Sequence, residues 1–240
     1  MMLQIAQQGP VIPKFERGSD CVRENGQFCA SWVVDNFDRV FLPRLVEHIE
    51  LTAIAVGIGF VIAFAAALTA DTFGRLETPI AIAAAFLYTI PSLAFFQLLV
   101  PITGLTVTSA EIALVSYTLL ILFRNIITGL REVPEDAREA ARAMGFTQRQ
   151  ILWRVDLPLA LPAIMAGIRI ATVTIISLAT VAAYIGVGGL GEPIFNAIQS
   201  GFKTQFVAAG ILAVLLALVV DGLLVLAQRG LAPWERARRA

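Results

Sequence analysis

The chain has 240 residues, 58% of them hydrophobic and only 15% charged, with a formal net charge of zero; a soluble domain of this length is nearer about 45–50% apolar and about 25% charged. Zero net charge leaves no basic face for nucleic acid. The two cysteines, Cys21 and Cys29, exclude a disulfide-dense scaffold and a four-cysteine zinc site, and the single histidine, His48, excludes a His-rich metal cluster.

Residues 1–44 are polar, mixed in charge, and contain Pro10, Pro13 and Pro43. They read as a tail outside the membrane, with a short amphipathic helix near Ala30–Leu42. The first residues lack the basic start and apolar run of a secretory signal, so targeting falls to the first membrane helix. Five apolar blocks follow, at 49–70, 79–100, 112–130, 159–185 and 206–227. Each is close to or above the roughly 20 residues of helix that cross a bilayer. In lipid each must be helical, because only a helix satisfies its own backbone there. Buried helices of a soluble protein fit poorly, since these blocks alternate only weakly with polar faces. The chain is therefore expected to be an all-α integral membrane protein with five spans.

Several residues stand out along the spans. Pro91 lies mid-span and removes a backbone bond, predicting a kink whose freed groups Thr89 and Ser92 can satisfy. Phe86, Tyr88, Phe95 and Phe96 share this span; a cation–π surface for a quaternary ammonium is one reading, lipid contact or packing the plainer one. Arg124, Arg169 and Asp221 are charges inside apolar blocks, where charge is expensive and is paired or faces a cavity. Arg169 and Arg124 are both candidate partners of Asp221, Arg169 being preferred. Gly186, Gly188 and Gly189 belong to a glycine-rich run at the end of the fourth block. It lacks the Gly-Lys-Ser/Thr ending of a phosphate loop and reads as a flexible break, helped by Pro193.

The connection from Arg131 to Pro158 is long for a helix–helix link. Pro134 with Glu135 and Asp136 makes a helix start, and Ala137 to Met144 favours helix. Gly145 is placed to end that helix. Thr147 with Gln150 forms a capping-box pattern for a second helix through Trp153, and Pro158 and Pro162 mark the return to the membrane. Two short helices broken at a glycine are expected.

Basic residues set the orientation. Arg75, the five arginines Arg131, Arg138, Arg142, Arg149 and Arg154, and the tail arginines Arg229, Arg236, Arg238 and Arg239 share one side of a five-span chain, whereas only Lys203 lies in the loops opposite. The arginine side is read as cytoplasmic, the N-terminus as outside, and the tail 230–240 as inside. An outside tail meets an oxidising compartment, so a Cys21–Cys29 disulfide is expected.

Glu139-Ala140-Ala141, then Gly145, then Leu157-Pro158 at the matching spacing resemble the EAA motif of permease subunits of ABC importers, with Val155 where that family usually has isoleucine. The likeness extends over roughly Leu45 to Arg229. Tyr88 to Ala94, Leu122 to Asn125, Ala166 to Arg169 and Ile185 to Gly191 resemble the branch that takes up osmoprotectants such as glycine betaine, carnitine and choline. The resemblance implies a MetI-like permease fold for 45–229 and a coupling helix in the loop 131–158 that sits in a cleft of an ATPase subunit. It further implies a second permease chain, identical or a paralogue, a separate substrate-binding protein, and alternating access, for which Thr89, Pro91 and Ser92 at the kink and Gly186, Gly188 and Gly189 near the outer gate are the pathway and gate candidates; no cofactor or metal is expected. Import of another small solute, such as an amino acid, is the alternative. An intramembrane enzyme would need a nucleophile–base pair, carboxylate dyad or metal ligands within the spans, and a membrane scaffold would show no uptake.

Overall fold

A computed structural model describes residue 15, residues 18–232 and residue 234. The start of the tail, with Pro10 and Pro13, and Arg236, Arg238 and Arg239 lie outside the described residues. Most of the described residues are helical, and the helices are labelled here α1 (Asp20–Arg23), α2 (Ala30–Thr72), α3 (Glu77–Thr89), α4 (Ser92–Thr103), α5 (Val107–Arg131), α6 (Glu135–Ala143), α7 (Gln148–Ile185), α8 (Gly191–Ser200) and α9 (Lys203–Leu231). Four of these, α2, α5, α7 and α9, are long and apolar enough to cross a membrane, and the fifth apolar segment is the pair α3–α4, bent by 95° between its halves.

Where the helices start and stop departs from expectation at three places, and proline is involved in each. The helix expected near Ala30–Leu42 and the first span are one element, α2, of 43 residues, about 65 Å long by helical rise. The two short helices expected in the 131–158 loop do not both stay short: the second runs unbroken into the fourth span as α7, 38 residues long. Pro43 and Pro158 each lie two residues after a π turn, Phe37–Phe41 and Leu152–Asp156. A proline ring clashes with the carbonyl four residues back; the wider turn takes up that crowding, and the helix continues. Pro91 has no such turn before it. Ile90 and Pro91 are extended, with ψ 125° and 132°, as the residue before a proline prefers. The expected kink is therefore a complete break.

The centre of the bundle is α5 and α7, each packed on the other and on α2; α9 lies against α7, and α3 and α4 lie against α5. Small residues permit the approach: a Cβ placed on Gly59 of α2 would stand 1.8 Å from Thr118 Oγ1 of α5. Two large apolar clusters lie along the bundle. One joins Phe96, Leu114, Tyr117, Ile175 and Ile185, and the other Leu122, Ile126, Leu130 and Ile164. They define two ends: one carries the 132–147 connection, the other the glycine run.

The N-terminal segment folds onto the glycine end. Cys21 and Cys29 form a disulfide, with Cα atoms 5.9 Å apart. Within the loop it closes, Asn25 sits at φ 51° and is buried. Its Nδ2 donates to Gly201 O at 2.8 Å and its Oδ1 accepts from Lys203 N–H at 3.1 Å. Cys29 N–H donates to Thr204 Oγ1 at 3.0 Å, and Trp32 and Phe15 both meet the Phe202 ring edge-on. The first open N–H group of α9, that of Lys203, is thus capped by the stapled loop.

Candidate functional site

The 131–158 connection is built from its caps. α6 starts after Pro134 and ends on a left-handed glycine. Gly145, at φ 81°, donates to Arg142 O at 2.9 Å, and Phe146 N–H reaches Ala141 O at 3.0 Å, the paired bonds of a Schellman ending. Thr147 then opens α7 with a complete capping box: its Oγ1 accepts from Gln150 N–H, and Gln150 Oε1 accepts from Thr147 N–H at 2.8 Å. Arg138 ties this knob to the bundle. Its Nε donates to Asp156 Oδ1 at 2.8 Å and one terminal nitrogen to Leu130 O at 2.7 Å, so one guanidinium joins α6 to the end of α5 and the start of α7. Arg131 pairs with Glu77. The Arg142 guanidinium, 2.7 Å from Glu135, holds that carboxyl below the ordinary carboxylate range.

The motif residues divide by direction. Glu139, Ala140 and Gly145 are exposed, together with Met144 at 68%, and no atom lies within 4 Å of a Cβ built on Gly145. Ala141 is buried, 1% exposed. The two alanines therefore do not form one face: Ala140 belongs to the outward surface, and Ala141 seats the helix on the bundle. Leu157 and Pro158 are half-buried just after the π turn, within α7. Arg138 and Asp156, which do the anchoring, carried no signal in the sequence beyond being charges in a polar loop.

At the α3–α4 break, Thr89 Oγ1 donates to Phe86 O at 2.7 Å within its own turn. It is Tyr117 of α5 whose hydroxyl takes the freed Ile90 carbonyl, and Phe95 N–H takes Pro91 O at 2.9 Å. Ser92 is half-buried at the start of α4. Phe95 and Phe96 are buried in the core, whereas Phe86 is exposed.

The glycine run is a shaped loop. Gly186, Gly188 and Gly189 have φ 79°, 29° and 70°, and it delivers the chain into α8, an element absent from the sequence reading. Glu192-Pro193 at its start and Gly201 at its end were the signals available. Both breaks border the same apolar cluster, which holds Ile90, Phe95, Ile185 and Val187. Beside the loop a cavity of about 630 Å³ is lined by Arg44, Glu47, Glu50, Thr106 and Glu192 among others.

The charges within the apolar blocks also separate. Arg169 makes a two-pronged contact with Asp221, Nε to Oδ1 at 2.8 Å and a terminal nitrogen to Oδ2 at 3.0 Å, linking α7 to α9. Arg124 is exposed on α5 and is not part of it. Glu111 of α5, one residue before the apolar block at 112–130, is a carboxylate that the sequence did not single out. Both its oxygens are shut away without a hydrogen-bond partner among the described residues. No group of three metal-ligating side chains occurs among the described residues.

Residues 46–233 match the family model described as "Binding-protein-dependent transport system inner membrane component". Among curated proteins, the chain is 39% identical over 183 residues to the osmoprotectant import permease protein OsmW of Salmonella typhimurium, covering 74% of this chain and 85% of that one. It is 35% identical over 193 residues to the choline transport system permease protein OpuBB of Bacillus subtilis, covering 80% and 88%. It is 34% identical over 181 residues to the carnitine transport permease protein OpuCB of Listeria monocytogenes, covering 75% and 83%. Among solved structures, an inward-facing form of the MetNI methionine ABC transporter aligns with a TM-score of 0.72 at 22% identity, covering 82% of this chain and 98% of that chain. At that identity the likeness is one of fold.

Proposed function

This chain belongs to the family of binding-protein-dependent transport system inner membrane components, and we propose that it is the permease subunit of an ATP-driven importer whose cargo is a small osmoprotectant of the betaine, carnitine and choline type. Membership of the family makes it a multi-pass membrane transport subunit. The cargo class rests on the relatives: the osmoprotectant, choline and carnitine permeases named above are each 34–39% identical over at least 181 residues.

The observation that carries the mechanism is the 131–158 knob. Its two helical turns are locked at Gly145, anchored inward by Arg138, and leave Glu139, Ala140, Met144 and Gly145 outward. We take this surface as the contact for a separate ATPase chain and the arginine-rich end as cytoplasmic. An oxidised Cys21–Cys29 loop at the opposite end supports an N-terminus outside. A second permease chain completes the pathway, and a substrate-binding protein delivers cargo to the glycine end. ATP binding drives the exchange of inward- and outward-open states by favouring one of them. The glycine loop and the α3–α4 break, which border one cluster, are the elements that gate it.

The test is uptake of labelled glycine betaine into proteoliposomes holding this chain, its ATPase and its binding protein. ATP-dependent accumulation, competed by choline or carnitine and not by methionine, is expected; accumulation of an amino acid in its place would refute the cargo class.

A further inference from the structure

Two adjacent side chains of α2 grip two adjacent backbone amides of the glycine loop. Gly189 N–H donates to Glu47 Oε2 at 2.9 Å, and Leu190 N–H donates to His48 Nδ1 at 3.2 Å. Because Nδ1 accepts, the proton sits on Nε2, which donates to Ile176 O of α7 at 2.9 Å. His48 is fully buried and so is Leu190. One neutral imidazole therefore joins α2, α7 and the loop. Glu47 is itself fixed: Arg44 donates to both its oxygens, at 2.7 and 2.8 Å, and reaches Glu192 at the start of α8 at 2.9 Å.

The loop's composition answers to this grip. A Cβ at Gly188 would lie 2.2 Å from Glu47 Oε2, and one at Gly189 would lie 3.0 Å from His48 Nδ1. Glycine is needed there for close approach as well as for positive φ. Neither α2 residue touches the Arg169–Asp221 pair or the 131–158 knob, so the contact is a separate piece of machinery at the glycine end.

We propose that Glu47 and His48 are positioning residues that hold the loop 186–190 in place and so set the closed state of the outer gate. The gate assignment rests on the permease reading above; the positioning itself does not. Removing an acceptor leaves a buried backbone N–H unpaired, which is far costlier than losing an exposed bond. The loop then opens locally more often, while the rest of α2, packed on α5 and α7, stays in place.

The test pairs amide hydrogen exchange of the full chain in lipid nanodiscs with ATP-driven glycine betaine uptake by the reconstituted complex. His48→Leu is expected to speed exchange of the Gly189 and Leu190 amides, and to lower uptake, each by about tenfold. The Cys21–Cys29 disulfide and ATPase copurification should be retained. His48→Gln restores both readouts, because a side-chain amide offers an acceptor and a donor side by side, as the neutral ring does. Glu47→Gln, which keeps an acceptor for Gly189 but loses the charge that Arg44 holds, speeds exchange to a smaller extent and carries the test if His48→Leu does not fold. Unchanged exchange in these variants overturns the positioning role whatever uptake does. Faster exchange with uptake at the wild-type level overturns the gate role. A wild-type complex that takes up no betaine counts against the cargo reading, and the exchange result still decides the positioning.

Discussion

Gly145 separates two roles of the 131–158 knob, bend and surface. At φ 81° a residue with a Cβ is strained, by about 1–2 kcal/mol for most L-residues and less for asparagine or aspartate. No atom lies within 4 Å of the new Cβ, so there is no packing cost within the chain. Gly145→Ala therefore strains the bend and adds little bulk. Its cost is a small part of the roughly 5–15 kcal/mol that stabilises a domain, so insertion and thermal stability stay near wild type. Gly145→Asn and Gly145→Asp tolerate the bend but place a side chain in the middle of the exposed patch of Glu139, Ala140 and Met144. If that patch packs against an ATPase, these two variants lose copurification of the ATPase and ATP-driven uptake, while Gly145→Ala, at about 1–2 kcal/mol of strain, shifts either by no more than about 5- to 30-fold. Affinity pull-down of the ATPase from solubilised membranes, with betaine uptake measured on the same preparations, reads this out. Wild-type copurification and uptake in Gly145→Asp would refute the assignment of this loop as the coupling element.

Asp221→Ala removes the partner of a guanidinium held between α7 and α9 and is expected to lower the thermal stability of the purified chain, whereas Arg169→Ala/Asp221→Ala lowers it less than the single change does; a loss in the double variant equal to the sum of the two single losses would mean that the two groups do not interact. Gly59→Leu drives α2 away from Thr118 and should cost about 1–3 kcal/mol, seen as a lower melting temperature that Thr118→Ala only partly restores, since Thr118 Cβ would itself lie 2.9 Å from the first added carbon. Reduction of Cys21–Cys29 frees a short loop worth about 2–3 kcal/mol in the chain-entropy account, so the melting temperature falls and proteolysis near Phe202 speeds up. Asn25→Ala should reproduce part of that effect with the disulfide intact, and a melting temperature indifferent to both changes would show that the N-terminal segment does not brace α9.

The elements most legible in the sequence were those set by local chemistry. Apolar runs of spanning length must be helical in lipid wherever they pack, so the blocks at 112–130 and 206–227 lie within α5 and α9. Caps are equally local: Gly145 and the Thr147–Gln150 box act within a few residues of themselves, and both are in place. The EAA spacing carried the family because it is a linear pattern. Tertiary contacts decided what local rules left open. Prolines in the helices obey one chemistry, yet Pro43 and Pro158 are absorbed by π turns, Pro101 and Pro162 lie inside helices, and Pro91 breaks its helix. At Pro91 the cost of the freed Ile90 carbonyl is met by Tyr117, 27 residues away. Which arginine serves Asp221 likewise depended on which helix lies beside α9. Ala140 and Ala141 parted because burial follows the helix face and not the motif. The grip of Glu47 and His48 on Gly189 and Leu190 spans 142 residues of sequence. No periodicity or composition can announce such a contact, because it exists only once α2 and the end of α7 have been packed together.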